Sequence, residues 1–223
     1  MKKNLLQELH KSVRQILVFL VEKGLSTDQN LPIIIENKII TWPNYMPGIG
    51  FNKNIDYLSI YSDVESHKNY TIKLIDGGII QFYYKVDKKN IVEHRLAFYP
   101  NPLLENYENY QESYEQDELY FEVVDRFIQK TPVRFDYNSE RHDLIFEPKS
   151  HLHLGHTENC RIPISKPLCP YAFIRFILLS FYSSFYHEYK DNKEIAKNVV
   201  IGFESISIEE KSYLYFDYLQ RTV

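Results

Sequence analysis

Residues 70–86 read YTIKLIDGGIIQFYYKV, and this stretch decides the fold. Two runs rich in β-branched and aromatic residues, 70–75 and 79–86, are separated by Asp76-Gly77-Gly78. Such residues favour strands, and Asp-Gly supplies the positive backbone angles of a tight turn, so the stretch predicts an antiparallel hairpin. A third strand over 91–99 follows Lys88-Lys89-Asn90 and stops at Pro100-Asn101-Pro102. An antiparallel meander is therefore the nucleus from which the rest is read.

Toward the N-terminus, Leu5, Leu9, Val13, Ile16, Leu17 and Leu20 recur at helical spacing, and Gly24 is a good residue to end a helix; residues 4–24 predict an amphipathic helix. Between 32 and 63, apolar pieces at 33–35, 39–40 and 57–61 alternate with Pro43, Pro47, Gly48 and Gly50, which reads as short strands joined by turns. Trp42 belongs to a packed turn. Toward the C-terminus, 121–129 and 133–137 are strand and turn material, and 151–155 and 161–164 alternate polar with apolar residues. Pro170 opens the strongest helix, 171–189, with Phe173, Ile174, Ile177, Leu178, Phe181 and Phe185 in one stripe. A short strand is expected over 199–203, and Ser207-Ile-Glu-Glu210 fits a capping box that opens a last helix over 209–219. The expectation is a single α+β domain over 1–223. A mostly antiparallel twisted sheet packs against the long helix of the C-terminal half, with the N-terminal amphipathic helix beside it.

Composition narrows the function classes. The chain has 223 residues, 44% apolar and 25% charged, which suits neither a disordered chain nor a membrane protein. Its 19 Tyr and 14 Phe stand against 7 Gly and 3 Ala, a bias that an AT-rich coding sequence also produces. A net charge of −4 argues against general duplex DNA binding. No apolar run reaches membrane-spanning length, and the charged residues within the first 24 positions argue against a signal peptide. Cys160 and Cys169 form neither a disulfide framework nor a zinc knuckle, so free thiols and a cytoplasmic location are expected. Charge segregates along the chain. Residues 103–125 hold eight acidic side chains and no basic one, with 103–118 read as an acidic loop or flap; residues 130–176 hold seven Lys or Arg, five Asp or Glu and four histidines.

The histidine-rich segment carries the chemistry. On a strand, His151 and His153 share one face, presenting two imidazoles side by side while Leu152 and Leu154 enter the core. Two imidazoles can divide the proton transfers of a phosphodiester cleavage, or bind a metal with His156 or a distant carboxylate as third ligand. The plain alternative is a pair of half-exposed strand residues. Nearby Arg134, Arg141, Arg161 and Lys166 make a cationic setting suited to a phosphate-bearing substrate. His94 and Arg95 are a second candidate, of which at most one joins the histidine face. The pattern HxHxGH departs from the HxHxDH of metallo-β-lactamases at Gly155, and no convincing downstream metal histidines follow, so that family is excluded. Phosphate-cradling glycine loops, HExxH and GxSxG are absent from the sequence. Phe82, Tyr83 and Tyr84 could stack bases, although sheet packing is their commoner use.

Glu93-His-Arg-Leu-Ala-Phe-Tyr-Pro100, Val133-Arg-Phe-Asp-Tyr137, His151-Leu-His-Leu-Gly155 and Arg161-Ile-Pro-Ile-Ser165 together resemble an uncharacterised bacterial family, domain of unknown function number twenty-two ninety. The resemblance runs from the hairpin to the last helix and implies no particular activity. The order RFDY then HLH is also similar to small TumE-type toxins of toxin–antitoxin pairs, over about a quarter of the chain. The resulting expectation is a bacterial cytoplasmic effector of a toxin or phage-defence module acting on RNA or a nucleotide, in the manner of a metal-independent ribonuclease-like phosphodiesterase. His151, His153 and Arg161 are its catalytic residues, Arg134, His94, Arg95 and Lys166 bind substrate, and no metal or cofactor is required. The alternative is a non-catalytic partner, an antitoxin or adaptor encoded nearby, binding protein through a tyrosine-rich surface and the acidic flap.

Overall fold

The computed structural model describes residues 4–47, 55–104, 130–144, 146–155, 160–197, 199, 201 and 203–217. The acidic stretch from residue 105 onward, the strand expected over 121–129, and His156 lie outside the described residues. One antiparallel sheet contains β1 (Ser26–Gln29), β2 (Ile33–Ile35), β3 (Ile39–Thr41), β4 (Ile72–Leu74), β5 (Ile79–Asp87), β6 (Asn90–Tyr99), β7 (Val133–Asn138), β8 (Ser150–Leu154) and β9 (Ile162–Pro163). The order is β1-β4-β5-β6-β7-β8-β9, and the β2–β3 hairpin attaches through β3 to β5. The described helices are α1 (Leu5–Glu22), α2 (Tyr57–Ser66), α3 (Pro170–Phe181) and α4 (Ser183–Tyr189). This is the α+β architecture expected, N-terminal helix included.

The hairpin that opened the reading is present, with Ile72 opposite Ile80 and Lys73 opposite Ile79. Its turn is bolted into the protein. Gly77 has φ 83°, and Gly78 N–H donates to Asp76 Oδ1 at 2.8 Å. Tyr182 Oη donates to Asp76 Oδ2 at 2.9 Å, and Tyr61 Oη to the Gly77 carbonyl at 2.6 Å. Burial raises the Asp76 carboxyl pKa, which its bonds to Gly78 and Tyr182 partly offset.

Alternation along β5–β8 gives the sheet two different faces. On one, Phe82, Leu96, Phe135 and Leu152 stand in a row across four strands, and Phe173 of α3 packs edge-on against Phe82 and Phe135. The buried stripe of α1, including Leu9, Val13, Ile16 and Leu20, belongs to this same core. Asn4 caps α1 through the Leu6 N–H, and the helix ends in a Schellman motif: Gly24 N–H bonds the Val21 carbonyl and Leu25 N–H the Leu20 carbonyl. On the other face α2 covers only one end, through Ile60, Tyr61 and Val64 against Ile79, Ala97 and Tyr99. Farther along that face Tyr83 stacks on Tyr45, and polar side chains follow on β6 to β8.

Four local expectations change. Residues 57–61 begin α2 instead of a strand, because Asp56 caps the Ser59 N–H at 3.0 Å and Ile60, Tyr61 and Val64 make one helical face. The helix expected over 171–189 is divided at Tyr182 (φ −136°, ψ 53°), whose hydroxyl reaches the buried Asp76. The capping box forms, with Ser207 N–H to Glu210 Oε2 at 2.7 Å and Glu210 N–H to Ser207 Oγ at 3.1 Å, but only the 3-10 turn Glu210–Ser212 follows. Val199, Ile201 and Phe203 lie in no strand. Trp42 is the packed turn residue expected, its indole N–H donating to Asn69 Oδ1 at 2.9 Å. Among the described residues no helix is long and apolar enough to cross a membrane.

Candidate functional site

The site arises from three i, i+2 pairs on neighbouring strands, Glu93/Arg95 on β6, Arg134/Asp136 on β7 and His151/His153 on β8. Side chains two apart point the same way, and antiparallel register aligns them across the sheet. Arg95, Asp136 and His151 form one row; Ala97, Arg134 and His153 form the next. They occupy the face away from the α1/α3 core and line a pocket of about 160 Å³ with Arg161, Arg141 and Lys149.

At its floor the side chains interlock. Arg134 Nε donates to Asp136 Oδ2 at 2.9 Å, and His153 Nε2 lies 3.5 Å from the same oxygen. His151 Nε2 and His153 Nε2 are 3.0 Å apart. His151 Nδ1 lies 2.5 Å from the Pro148 carbonyl, which can only accept, so Nδ1 carries a proton and a neutral His151 presents its Nε2 lone pair to His153. Both histidines are 7% exposed, which removes the half-exposed reading. Burial lowers the His151 pKa to about 4, against the pull of Asp136, so this ring is neutral at pH 7. Burial alone would raise the Asp136 carboxyl, but the Arg134 guanidinium and the contact with His153 hold it well below the usual carboxylate range. Asp136 Oδ1 and Arg161 Nε are buried with no hydrogen-bond partner among the described residues.

The expected residues divide. His151, His153, Arg161, Arg134 and Arg95 converge on the pocket. Arg95 is paired with Glu93 at 3.4 Å, and Arg134 is engaged by Asp136. His94 also borders the pocket, but its fully buried ring lies on the core face between Tyr84 and Tyr137. Its Nε2 accepts the Leu168 N–H at 3.1 Å, which places the proton on Nδ1 for the Phe135 carbonyl at 3.2 Å. Burial lowers its pKa to about 4. His94 is thus a neutral core histidine. Lys166 is absent from the pocket wall, and its carbonyl accepts from Ser150 Oγ. Leu152 enters the core as expected, whereas Leu154 at the strand end is 40% exposed. Phe82, Tyr83 and Tyr84 are buried, with Tyr83 stacked on Tyr45 at 5.0 Å, so they present no open stacking face.

Asp136 is the residue that the motif reading passed over. Its signal was the i, i+2 spacing with Arg134 on a strand, the same spacing that singled out His151 and His153. A family model described as an uncharacterised conserved protein matches residues 25–218. No curated protein and no solved structure matches the chain.

Proposed function

The chain belongs to the DUF2290 family of uncharacterised conserved proteins, and from its site we propose an enzyme that acts on a phosphate-bearing substrate, RNA or a nucleotide. The observation that carries this reading is the convergence of Arg161, whose buried Nε has no partner among the described residues, with the His151–His153 pair in one concave pocket. A phosphate oxygen satisfies such a donor, and a guanidinium fork matches its geometry. Arg161 therefore holds the phosphate, while Arg134, committed to Asp136, is a positioning residue.

The pocket size admits the reacting part of the substrate. About 160 Å³ is ample for a phosphate group. The rest of the substrate follows the face bordered by Arg141 and Lys149. With their Nε2 atoms 3.0 Å apart, the two imidazoles leave no space for phosphorus between them. They act from one side as a single unit beside the phosphate, in place of the opposed acid and base expected from spacing alone. A toxin or defence setting for this activity is part of the same proposal and rests on the order RFDY then HLH in the sequence.

The reading of a non-catalytic protein partner is less well supported. Eight tyrosines, at 61, 70, 83, 84, 99, 137, 171 and 182, are buried and unavailable as a recognition surface. The test compares wild type with His151→Ala/His153→Ala on labelled RNA and a nucleotide panel, with and without EDTA. Cleavage by wild type and a loss of about 100-fold or more in the variant are expected. Equal inactivity of the two proteins would sink the enzyme reading.

A further inference from the structure

We propose that Asp136, His151 and His153 form the binding site of one divalent transition metal ion of the zinc class, opening into the arginine pocket. This departs from the metal-free expectation above. Only its catalytic use rests on the function just proposed; the binding itself stands on geometry.

Each of the three residues offers one ligand atom, and those atoms lie within 4.8 Å of one another. The two Nε2 atoms are 3.0 Å apart, and His153 Nε2 is 3.5 Å from Asp136 Oδ2. Ligands about 2.0–2.1 Å from a common ion stand about 2.9 Å apart at a right angle and about 3.4 Å apart at the tetrahedral angle. Of the two separations, 3.0 Å lies inside that range and 3.5 Å just above it, so small side-chain shifts bring the three atoms around one ion. A proton shared between the imidazoles accounts for the first distance alone. It explains neither a carboxylate held just beyond good hydrogen-bond range of His153 nor a buried Asp136 Oδ1 with no partner among the described residues. An ion at the focus of the three side chains accounts for all of these features.

The surroundings are those a metal site requires. Metal-bound histidines donate their other ring N–H to a carbonyl or carboxylate, which fixes the tautomer and aims the free lone pair. His151 does so to the Pro148 carbonyl. Arg134 Nε holds Asp136 Oδ2 in turn, which fixes the orientation of the carboxylate, and the buried Oδ1 stays without a hydrogen-bond partner among the described residues. Two adjacent strands supply the ligands, with Asp136 directly opposite His151, so the backbone sets the spacing. Two imidazoles and one carboxylate form a donor set that zinc takes, and three protein ligands leave a fourth position toward the pocket for water or a phosphate oxygen.

The test uses full-length protein without a histidine tag, stripped with a chelator and titrated with Co²⁺ and then Zn²⁺. Expected are visible Co²⁺ ligand-field bands of low coordination number, one equivalent of either ion by calorimetry, and a Zn²⁺-dependent rise in Tm. His151→Gln, His153→Gln and Asp136→Asn should each weaken Zn²⁺ binding at least tenfold, while Arg161→Ala leaves it within threefold. Absence of Co²⁺ bands and binding heat in wild type overturns the site regardless of how the variants fold. RNA cleavage by protein that binds no Co²⁺ overturns the site and spares the enzyme reading. Stoichiometric binding without cleavage establishes the site and counts against that reading instead.

Discussion

Asp136 on β7 stands directly opposite His151 on β8, yet its carboxylate is held by Arg134 of its own strand at 2.9 Å. One carboxylate thus serves a neighbouring strand's imidazoles and its own strand's guanidinium. Both members of the ion pair are mostly buried, with side-chain exposures of 21% for Arg134 and 17% for Asp136. Removing one deprives the other, still mostly desolvated, of this ion pair.

Asp136→Ala should therefore lower stability by about 2–3 kcal/mol, and Arg134→Ala by a similar amount. The double variant should lose clearly less than the two single losses combined, because the pair's coupling energy is lost only once. Urea denaturation of the four proteins of the cycle measures this. Strict additivity would show that the pair does not hold the site together.

Arg161 is expected to matter to ligand and hardly at all to folding. Its described hydrogen bond is a long one, Nη1 to the Phe146 carbonyl at 3.4 Å. Arg161→Ala should change stability by about 0.5 kcal/mol or less and weaken binding of a phosphate-bearing oligoribonucleotide about tenfold or more. Arg161→Lys should rescue this poorly, since an ammonium lacks the planar fork. Titration calorimetry beside thermal melts separates the two effects; unchanged affinity in Arg161→Ala would remove the residue from the site.

His94 gives stability a pH dependence of definite sign. Burial depresses its folded pKa to about 4 from an ordinary 6.5, so between these values the unfolded chain binds the extra proton. The stabilisation is complete above pH 6.5 and is lost as pH falls toward 4. From pH 7 to pH 5 this group alone should cost about 2 kcal/mol. Denaturation of wild type and His94→Gln at both values provides the check: wild type should lose the larger share, and equal losses would mean that His94 is not the titrating group.

At the hairpin turn, a Cβ on Gly78 would lie 2.6 Å from Tyr182 Oη and 3.0 Å from both Asp76 Oδ1 and Phe98 Cε2. Gly78→Ala should cost about 2–3 kcal/mol, an overpacking penalty. Tyr182→Phe should cost about 1–3 kcal/mol by leaving Asp76 Oδ2 without its donor. Combining them removes the closest clash, so the double variant should be more stable than the sum of the single losses implies. Guanidinium unfolding midpoints decide it.

Local signals carried much of the architecture. Asp-Gly between two apolar runs, the period of α1 with Gly24 behind it, and alternation at 151–155 are effects of a few neighbouring residues, and each has its counterpart in the structure. One misreading overlooked a local cap, and another arose where a distant partner decides. Tyr57 to Tyr61 look like a strand until Asp56 caps them as a helix, and Tyr182 divides a helix because Asp76, 106 residues earlier, accepts its hydroxyl. For the site, the sharing of one face by His151 and His153 follows from alternation. The union of Asp136 with them depends on register between β7 and β8, which no single strand encodes. The orientation of His94 was hidden for the same reason: its ring meets Leu168, a contact set by how the segment before α3 crosses the sheet.

The strict division of β8 into two faces ties chemistry to correct folding. Leu152 is in the core and His151 and His153 are at the pocket, with the register bounded by Gly155, whose N–H donates to the Pro132 carbonyl at 2.8 Å. A slip of one residue would push both imidazoles among the phenylalanines and bring Leu152 to the pocket floor. A mispaired chain would lose the histidine pair from the pocket and expose apolar side chains at once, so the alternation that builds the site also makes its presence a report of correct folding.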